Sequence, residues 1–368
     1  MKTFNLCFLG FGNVGHALVR LLGEKSVEMR ERYGIEWRIT GAATRRAGWR
    51  AAAAEGLPAE SLLSGEWAAD AGRGGEPRPA NVREWLAAAR CDVMFEITSL
   101  EPLTGEPAVG YVRAALEAGA HVVTANKGTL VHGYRDLHAL AKACGRRFLF
   151  EATVADMPVF SLFRECLPAA RLRAFRGIFN STTNVILEEM EGGRTFDDGL
   201  RSAQSLGVTE TDPAYDVDGW DAAVKTCALA NVLMNVPLRL DEIERRGIRG
   251  LEPESVRAAR DAGTPYKLVS RAERTREGGI AARVGAERIA AGDPLAAVNG
   301  TSLIIHFELD ILPGLTLTAH HPDLQSTAYG LLSDFINIAR AETWKCQKGS
   351  GVHDSLCVST FKNFAPRT

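Results

Sequence analysis

A glycine-rich turn that directly follows the first apolar run constrains this chain more than any other feature. The run spans residues 3–9, and an amphipathic stretch at 17–22 follows the turn, so the order strand, turn, helix is predicted. In such a turn the first glycine permits a tight bend, the second lets a pyrophosphate approach the backbone, and the third lets the helix pack on the strand. The helix N-terminus would supply amide donors and a positive dipole end. We therefore predict dinucleotide binding, with a purely structural turn as the alternative, at Gly10, Phe11, Gly12, Asn13, Val14 and Gly15.

Segments typical of strands and helices alternate after this turn. Strands that alternate with helices pair in parallel, so the predicted fold class is α/β, with an N-terminal Rossmann-type, doubly wound parallel sheet over residues 1–150. Residues 47–80 are rich in Ala, Gly and Pro and are expected to form a helix and a loop. The further strands are predicted at 35–43, 91–98, 120–125 and 147–152, and helices near 109–118 and 135–144.

The end of the second predicted strand bears on the choice of nicotinamide cofactor. Sites that prefer NAD usually place a carboxylate there to hold the ribose diol. This chain instead has Thr44, Arg45 and Arg46. Two arginines could pair with a 2′-phosphate through forked donors, which favours NADP over NAD. A solvated pair of surface arginines is the alternative.

Charge and cysteine content exclude several classes of function. The formal net charge is −2, so no global field would attract nucleic acid or an anionic membrane. No apolar stretch reaches the roughly 18 residues that a membrane span needs. The seven cysteines are scattered, without a CxxC pair, which suits reduced thiols in the cytoplasm. We expect a cytoplasmic protein with neither a nucleic-acid partner nor a membrane partner.

A segment dense in carboxylates, residues 207–225, precedes an apolar helix-like stretch. An EF-hand loop is excluded, because aligning Gly219 with its invariant glycine puts Ala214 where the first ligand belongs. From Asp221 onward the segment is predicted to be helical, with Asp216 or Asp218 as its cap. Asp221 and Lys225 would then share one helical face.

Two lysines are candidates for chemistry at a carbonyl group. Lys225 stands among apolar residues, and a buried ammonium needs a partner such as Asp221. A cation held by a carboxylate in a cleft also suits carbonyl reduction, because alkoxide charge develops as hydride arrives. Lys127 follows the carboxyl end of a predicted parallel strand, where ligands bind. A structural ion pair and a surface lysine are the respective alternatives.

Together these segments resemble the homoserine dehydrogenase family, over about residues 5–250 and more weakly over 250–340. The pieces that carry the resemblance are GFGNVG, VVTANKG, FEATV, GIFNSTTNVIL and LGVTETDPAYDVDGWDAAVK. The resemblance implies reversible, NAD(P)H-dependent reduction of aspartate 4-semialdehyde to homoserine, a step of threonine and methionine biosynthesis. Its residue roles would be proton donation and carbonyl binding by Lys225 and Lys127, orientation of Lys225 by Asp221, substrate ammonium binding by Glu210 and Asp216, nicotinamide contact by Thr98 and Ser99, and sodium binding through the backbone of Glu151 and Val154.

The resemblance also implies a domain order and an assembly. An α+β catalytic and dimerisation domain would cover residues 151–310, and residues 311–340 would return to the nucleotide domain. Residues 341–368 show little periodicity in the sequence itself and are expected to be a tail of unknown role. A homodimer acting on a small amino-acid substrate is expected. A C-terminal regulatory domain is not expected in a chain of this length.

Four departures from the family pattern keep other functions open. The loop Val154–Pro158 is one residue shorter than usual and lacks glycine, and Ala319–Asp323 replaces a glycine-rich turn. Ser181 and Thr129 stand where glycine and proline are common. One alternative is a dehydrogenase of the same architecture for another small hydroxy or aldehyde substrate. The other is a nucleotide-binding paralogue without turnover.

Overall fold

Two six-stranded sheets organise the described part of the chain. The structure is a computed structural model that describes residues 1–69, 79–154, 156–209 and 212–349. The N-terminal sheet contains the glycine turn at the end of its central strand. The second sheet belongs to the C-terminal half, and a long final helix returns from it to the first sheet.

The first sheet has the strand order β3-β2-β1-β4-β5-β6. All of its pairs are parallel except β2 with β3, which form an antiparallel hairpin. The doubly wound order confirms the predicted Rossmann-type fold, because the chain crosses from β3 back past β1 to β4. The strands are β1 (Lys2–Leu9), β2 (Ile35–Thr44), β3 (Gly48–Ala51), β4 (Val93–Glu96), β5 (His121–Thr124) and β6 (Phe148–Leu149).

Apolar helices cover both faces of this sheet. On one face Phe4 and Phe335 contact each other with ring centroids 5.7 Å apart, within a cluster that includes Leu18 and Leu22. The cluster on the other face, around Trp85, continues into the core of the C-terminal half. The helices of this half are α1 (Asn13–Glu24), α2 (Ser26–Tyr33), α3 (Ala59–Ser64), α4 (Glu66–Ala69), α5 (Val82–Ala88), α6 (Ala108–Glu117), α7 (Gly128–His132) and α8 (Tyr134–Ala143).

The second sheet is mixed, with the order β12-β11-β7-β9-β10-β8. Its pairs are antiparallel apart from β10 with β8. The strands are β7 (Leu172–Ile178), β8 (Glu244–Arg245), β9 (Tyr266–Arg274), β10 (Ile280–Arg288), β11 (Leu303–Leu309) and β12 (Leu315–Ala319). The helices are α9 (Val159–Ser161), α10 (Ser181–Glu191), α11 (Phe196–Ser205), α12 (Pro213–Val217), α13 (Trp220–Leu229), α14 (Pro253–Asp261) and α15 (Leu324–Gly349). Single turns of 3₁₀-helix lie at Glu151–Thr153, Leu240–Glu242 and Pro294–Ala297, and of π-helix at Leu162–Cys166 and Ala230–Met234.

Several predicted boundaries are corrected by the structure. The strand predicted at 147–152 is only Phe148–Leu149, because the backbone turns into a 3₁₀-helix at Glu151. The strand predicted at 91–98 shortens to β4, and the hairpin strand β3 lies where a helix and a loop were expected. Of the segment 341–368, predicted as a tail of unknown role, residues 341–349 belong to α15 and residues 350–368 lie outside the described residues.

Membrane, metal and disulfide features were also sought in the described residues. None of their helices is both long enough and apolar enough to cross a bilayer. The same residues contain no group of three or more His, Cys, Asp or Glu side chains arranged to hold a metal ion. Cys7, Cys91, Cys144, Cys166 and Cys227 are free thiols.

Candidate active site

The glycine turn has the geometry of a nucleotide-binding loop. Gly10 has φ +88°, and a Cβ atom there would lie 2.5 Å from the Ile97 carbonyl oxygen, so only glycine fits. A Cβ at Gly12 would meet no protein atom within 4 Å, which leaves that backbone open to a ligand. Gly15 packs against Ile97 and Phe11. Helix α1 begins at Asn13 without a side-chain cap, so its first amides can receive an anion.

The turn between β2 and β3 presents the two arginines predicted to select the cofactor. The Thr44 hydroxyl accepts a hydrogen bond of 3.0 Å from the Ala47 amide, which closes this turn. Arg45 and Arg46 are exposed on it. Their guanidinium groups are therefore accessible at the carboxyl end of β2, on the edge of the sheet that also carries the glycine turn.

A buried carboxylate organises the ends of β4 and β5. Glu96 accepts hydrogen bonds from the Thr98 amide at 3.0 Å, from the Thr98 hydroxyl, and from the Thr124 hydroxyl at 2.7 Å. Burial raises the pKa of Glu96, and these hydrogen bonds oppose the rise. Asn126 in turn donates to the backbone oxygens of Thr98 and Ser99 at 3.3 and 3.4 Å. Thr98 and Ser99 are thereby held at the carboxyl edge of the parallel sheet.

Asp221 joins the two predicted lysines. Its Oδ1 lies 2.9 Å from Lys127 Nζ and its Oδ2 lies 2.9 Å from Lys225 Nζ. Lys127 follows β5 and Asp221 lies in the first turn of α13, so the site spans the two halves of the chain. Burial alone would raise the pKa of Asp221, but the two ammonium groups outweigh it and hold that pKa well below its usual range. The carboxylate thus stays charged and fixes both lysine side chains, each 15% exposed.

Asn180 links this cluster to a second buried carboxylate. Its side-chain amide donates to Asp216 Oδ1 at 2.7 Å and to Asp221 Oδ2 at 3.0 Å. The Phe179 carbonyl oxygen accepts a 2.7 Å hydrogen bond from Lys225 Nζ. Asp216 is 1% exposed and lies in α12, directly before the lysine-bearing helix. The expected cap by Asp216 or Asp218 is wrong, because the N-cap residue of α13 is Gly219, with φ +79°, and glycine has no side chain that could form a capping hydrogen bond.

Glu210 is the one predicted site residue that lies outside the described residues. The structure brings together Lys127, Asp221 and Lys225, with Asp216 joined to them through Asn180. Asn180 and Glu96 were not predicted. The position of Glu96 at the end of an otherwise apolar strand could have marked it as a buried polar residue, and the position of Asn180 before a helix could have marked it as an N-cap. Neither position predicts the side chains to which these residues hydrogen-bond.

The turn predicted to bind sodium is anchored by two acids. The Glu151 carboxylate accepts the amides of Phe160 and Ser161, each at 2.7 Å. The Glu151 amide donates to Asp334 Oδ2 at 2.7 Å, while Asp334 Oδ1 is buried without a hydrogen-bond partner among the described residues. Burial and the neighbouring Glu151 raise the pKa of Asp334 to about 8. A buried carboxyl oxygen in need of a partner beside this turn is compatible with a cation bound there.

Two family models match the chain, on either side of residues 152–157. Residues 10–151 match the model described as homoserine dehydrogenase, NAD binding domain. Residues 158–336 match the model described as homoserine dehydrogenase. Both models therefore end or begin beside the loop that follows Glu151.

Individual relatives agree with these models. The chain is 32% identical to the NAD(+)-dependent homoserine dehydrogenase of Pseudomonas canavaninivorans, over 94% of this chain and 99% of that protein. The crystal structure of a homoserine dehydrogenase from Thiobacillus denitrificans is similar with a TM-score of 0.78 and 31% identity, over 94% of this chain and 75% of that one. A hyperthermophilic archaeal homoserine dehydrogenase in complex with NADPH is similar with a TM-score of 0.75 and 26% identity, over 94% and 98% of the two chains.

Proposed function

The chain belongs to the homoserine dehydrogenase family, and we propose that its lysine–aspartate site performs the reversible reduction of L-aspartate 4-semialdehyde to L-homoserine. The observation that carries the proposal is the buried Asp221 carboxylate, which holds Lys127 and Lys225 at 2.9 Å on its two oxygens. Two fixed cations beside the carboxyl end of a nucleotide-binding sheet suit a reaction in which negative charge develops on an oxygen.

Lys225 would donate the proton that completes the reduction. NAD(P)H supplies the hydride when bound. Lys225 Nζ would donate a proton to the substrate oxygen on which negative charge develops, so that the aldehyde becomes the alcohol. Asp221 and the Phe179 carbonyl keep the Lys225 side chain directed, and Lys127 polarises the same oxygen. In the reverse direction Lys225 accepts the hydroxyl proton.

Asp216 and Glu210 would bind the substrate ammonium. Asp216 Oδ1 accepts from Asn180 at 2.7 Å, and the buried carboxylate is close to the lysine cluster. An amino-acid substrate would thus be oriented by its ammonium group at one end and by the lysines at its reacting oxygen. This division of roles restricts the site to a small substrate.

NADP is the proposed cofactor, with NAD as the alternative. The turn Gly10–Gly15 would hold the pyrophosphate, and Thr98 and Ser99 would contact the nicotinamide. Exposed Arg45 and Arg46, beside Thr44, support NADP because they can receive a 2′-phosphate. One relative is an NAD(+)-dependent enzyme and another forms a complex with NADPH, so members of the family bind either nicotinamide.

Sodium binding and the assembly are further parts of the proposal. The backbone oxygens of Glu151 and Val154 would hold sodium, and the ion would neutralise buried acid beside this turn and stiffen it.

The edge strand β12 pairs only with β11 among the described residues, and this open edge supports a homodimer. The free thiols support a cytoplasmic location. We also propose three parts of the chain: a dinucleotide-binding domain over residues 1–150, a catalytic and dimerisation domain over residues 151–310, and a segment after residue 310 that returns to the first domain.

Absorbance at 340 nm tests the reaction in both directions. Aspartate semialdehyde is supplied with NADPH or NADH, and homoserine with NADP⁺ or NAD⁺. The proposal predicts turnover in both directions with at least one cofactor pair. Nucleotide binding without turnover of either substrate would contradict it.

A further inference from the structure

We propose that a cleft between helix α8 and the π-helical turn Leu162–Cys166 is a second ligand-binding site, which takes a small aromatic anion. The cleft has a volume of about 640 Å³. Pockets that bind small molecules span roughly 300–1,000 Å³, so the cleft is large enough for such a ligand. It lies apart from the candidate active site, because neither the glycine turn nor Lys127, Asp221 or Lys225 lines it.

Both halves of the chain contribute to the walls of the cleft. Helix α8 and strand β6 line it from the nucleotide-binding half, and residues 160–170 line it from the segment that follows. Leu233, in the π-helical turn Ala230–Met234, lines it as well. The segment at 160–170 is held at its start, since the Glu151 carboxylate accepts the amides of Phe160 and Ser161, each at 2.7 Å.

Aromatic rings form the apolar part of the lining. The Phe150 ring lies edge-to-face against Phe148, with centroids 5.2 Å apart, and against Phe160, with centroids 4.9 Å apart. Tyr134 contacts Phe150 in the same way at 5.7 Å, and Phe163 adds a fifth ring to the lining. Rings that hold one another in this manner offer a flat ligand further edge-to-face or offset-stacked contacts.

Three cations of the lining form no ion pair among the described residues, namely Lys142, Arg146 and Arg147. Arg146 Nε is in addition buried without a hydrogen-bond partner among them. A buried guanidinium N–H that lacks a partner costs free energy, so an anionic oxygen that accepts from this side chain would be favourable. These side chains therefore supply the polar part of a binding site.

The acidic side chains of the lining do not balance these cations. Glu165 is the one carboxylate among the described residues that line the cleft, and its Oε1 lies 2.8 Å from Arg164 Nε. His138 adds no charge near neutral pH, because burial and the charge of Lys142 lower its pKa. Uncompensated positive charge beside aromatic rings favours a flat, apolar ligand that carries a carboxylate, sulfonate or phosphate group.

Two fluorescent probes with the same ring system separate the effect of the charge from that of the rings. The first, 8-anilinonaphthalene-1-sulfonate, is an aromatic anion, and the second, N-phenyl-1-naphthylamine, is the same molecule without the sulfonate. Each probe is titrated into the protein with NAD⁺ and NADP⁺ at saturating concentrations, so that the dinucleotide site is filled. We expect saturable binding of the sulfonate to the wild type.

Substitutions of the cations should weaken binding of the sulfonate alone. Its affinity should fall about tenfold in Arg146→Gln and in Arg147→Gln, because each loses a charge-assisted contact. Lys142→Gln, at an exposed lysine, should cost about threefold. The uncharged probe should bind all three variants as it binds the wild type. Arg30→Gln, at an exposed arginine of α2 outside the cleft, is the matched control.

Competition identifies the class of anion that the cleft prefers. AMP combines an aromatic base with a phosphate, and phenylpyruvate combines a ring with a carboxylate. Displacement of the bound sulfonate by AMP would assign the cleft to a nucleotide, and displacement by phenylpyruvate would assign it to an aromatic acid. Displacement by neither compound would contradict a site for small aromatic anions.

Equal affinity of the sulfonate for the wild type and the three variants would overturn the inference, as would the absence of saturable binding to the wild type. Arginine variants that also lose the uncharged probe would have a distorted cleft. Lys142→Gln then decides the question, and an unchanged affinity for the sulfonate in that variant would overturn the inference equally.

Discussion

Asp221 Oδ1 lies 2.9 Å from Lys127 Nζ, although 94 positions separate the two residues in the chain. Lys127 follows a strand of the nucleotide-binding sheet, whereas Asp221 belongs to a helix packed on the second sheet. The contact is therefore both a part of the candidate site and a bond between the two halves of the molecule. Stability and activity should respond together when it is broken.

Asp221→Asn should destabilise the protein by about 3 kcal/mol, because removing one partner of a buried ion pair leaves charges that are poorly solvated. The lysine side chains are 15% exposed, which keeps the loss at the low end of the range for buried pairs. Urea denaturation followed by circular dichroism measures the change. Asp218→Asn is the control, since Asp218 forms an exposed pair with Arg249 and should matter by less than about 1 kcal/mol. Equal effects of the two substitutions would contradict the account.

The contribution of Asp221 should depend on pH in one direction. Its pKa in the folded protein is lowered, so its stabilisation is fully present above the ordinary carboxyl pKa of about 4 and is lost as the pH falls further. The difference in free energy of unfolding between wild type and Asp221→Asn should therefore shrink below about pH 4. Denaturation curves at pH 7, 5 and 3.5 give this difference. A difference that grows on acidification would be the wrong sign.

Gly10→Ala and Gly12→Ala should fail in different ways. At Gly10 the backbone is left-handed and a Cβ would lie 2.5 Å from the Ile97 oxygen, so alanine should lower stability by about 1–3 kcal/mol. At Gly12 a Cβ meets no protein atom, so the fold should persist while a bound pyrophosphate is crowded. Thermal melting and fluorescence titration with NADP⁺ separate the two effects. Tight nucleotide binding by a stable Gly12→Ala variant would argue against the assigned turn.

Arg45 and Arg46 should control the choice between nicotinamides. Charge-assisted hydrogen bonds to a 2′-phosphate contribute about 1.5–3 kcal/mol each, so the double alanine variant, which loses two of them, should lose about 10²- to 10⁴-fold in kcat/KM for NADP⁺. Its kcat/KM for NAD⁺ should stay within about threefold of the wild type, because NAD⁺ lacks that phosphate. Arg32→Ala, at an exposed arginine of α2, is the control. Parallel losses for both cofactors would refute the role in selection.

The elements that follow from local pattern were predictable from the sequence. The glycine turn needs only a strand before it and a helix after it, and Asp221 and Lys225 need only the helical period that puts them on one face. Their 2.9 Å contact confirms this inference. The boundaries of β4 and β6 were less accurate, because apolar residues continue beyond the point where ladder hydrogen bonds end.

Contacts between distant segments were not predictable in this way. Asn180 joins Asp216 and Asp221 across 36 and 41 positions, and Thr327 reaches Asp156 across 171. Each of these contacts depends on how distant segments pack against one another in three dimensions. The hydrophobic periodicity of the sequence contains no information about that packing. The length of α15 was missed for a related reason. The residues of α15 beyond 340 show little apolar periodicity, so the sequence pattern does not predict a helix there. The earlier turns of α15 pack on the first sheet, and the helix extends from them past residue 340.

The most direct test of the central claim measures homoserine oxidation at 340 nm in the wild type, in Lys225→Ala and in Lys127→Ala. The affinity of each of these three proteins for the nucleotide is measured as well. The account predicts wild-type turnover and a fall of about 10²–10⁴-fold in kcat for Lys225→Ala, with nucleotide affinity retained. Lys127→Ala should also lose activity, because Asp221 holds both ammonium groups and the proposal assigns both of them to the reacting oxygen. Turnover that survives the loss of Lys225 would contradict the assignment of this lysine–aspartate cluster as the active site.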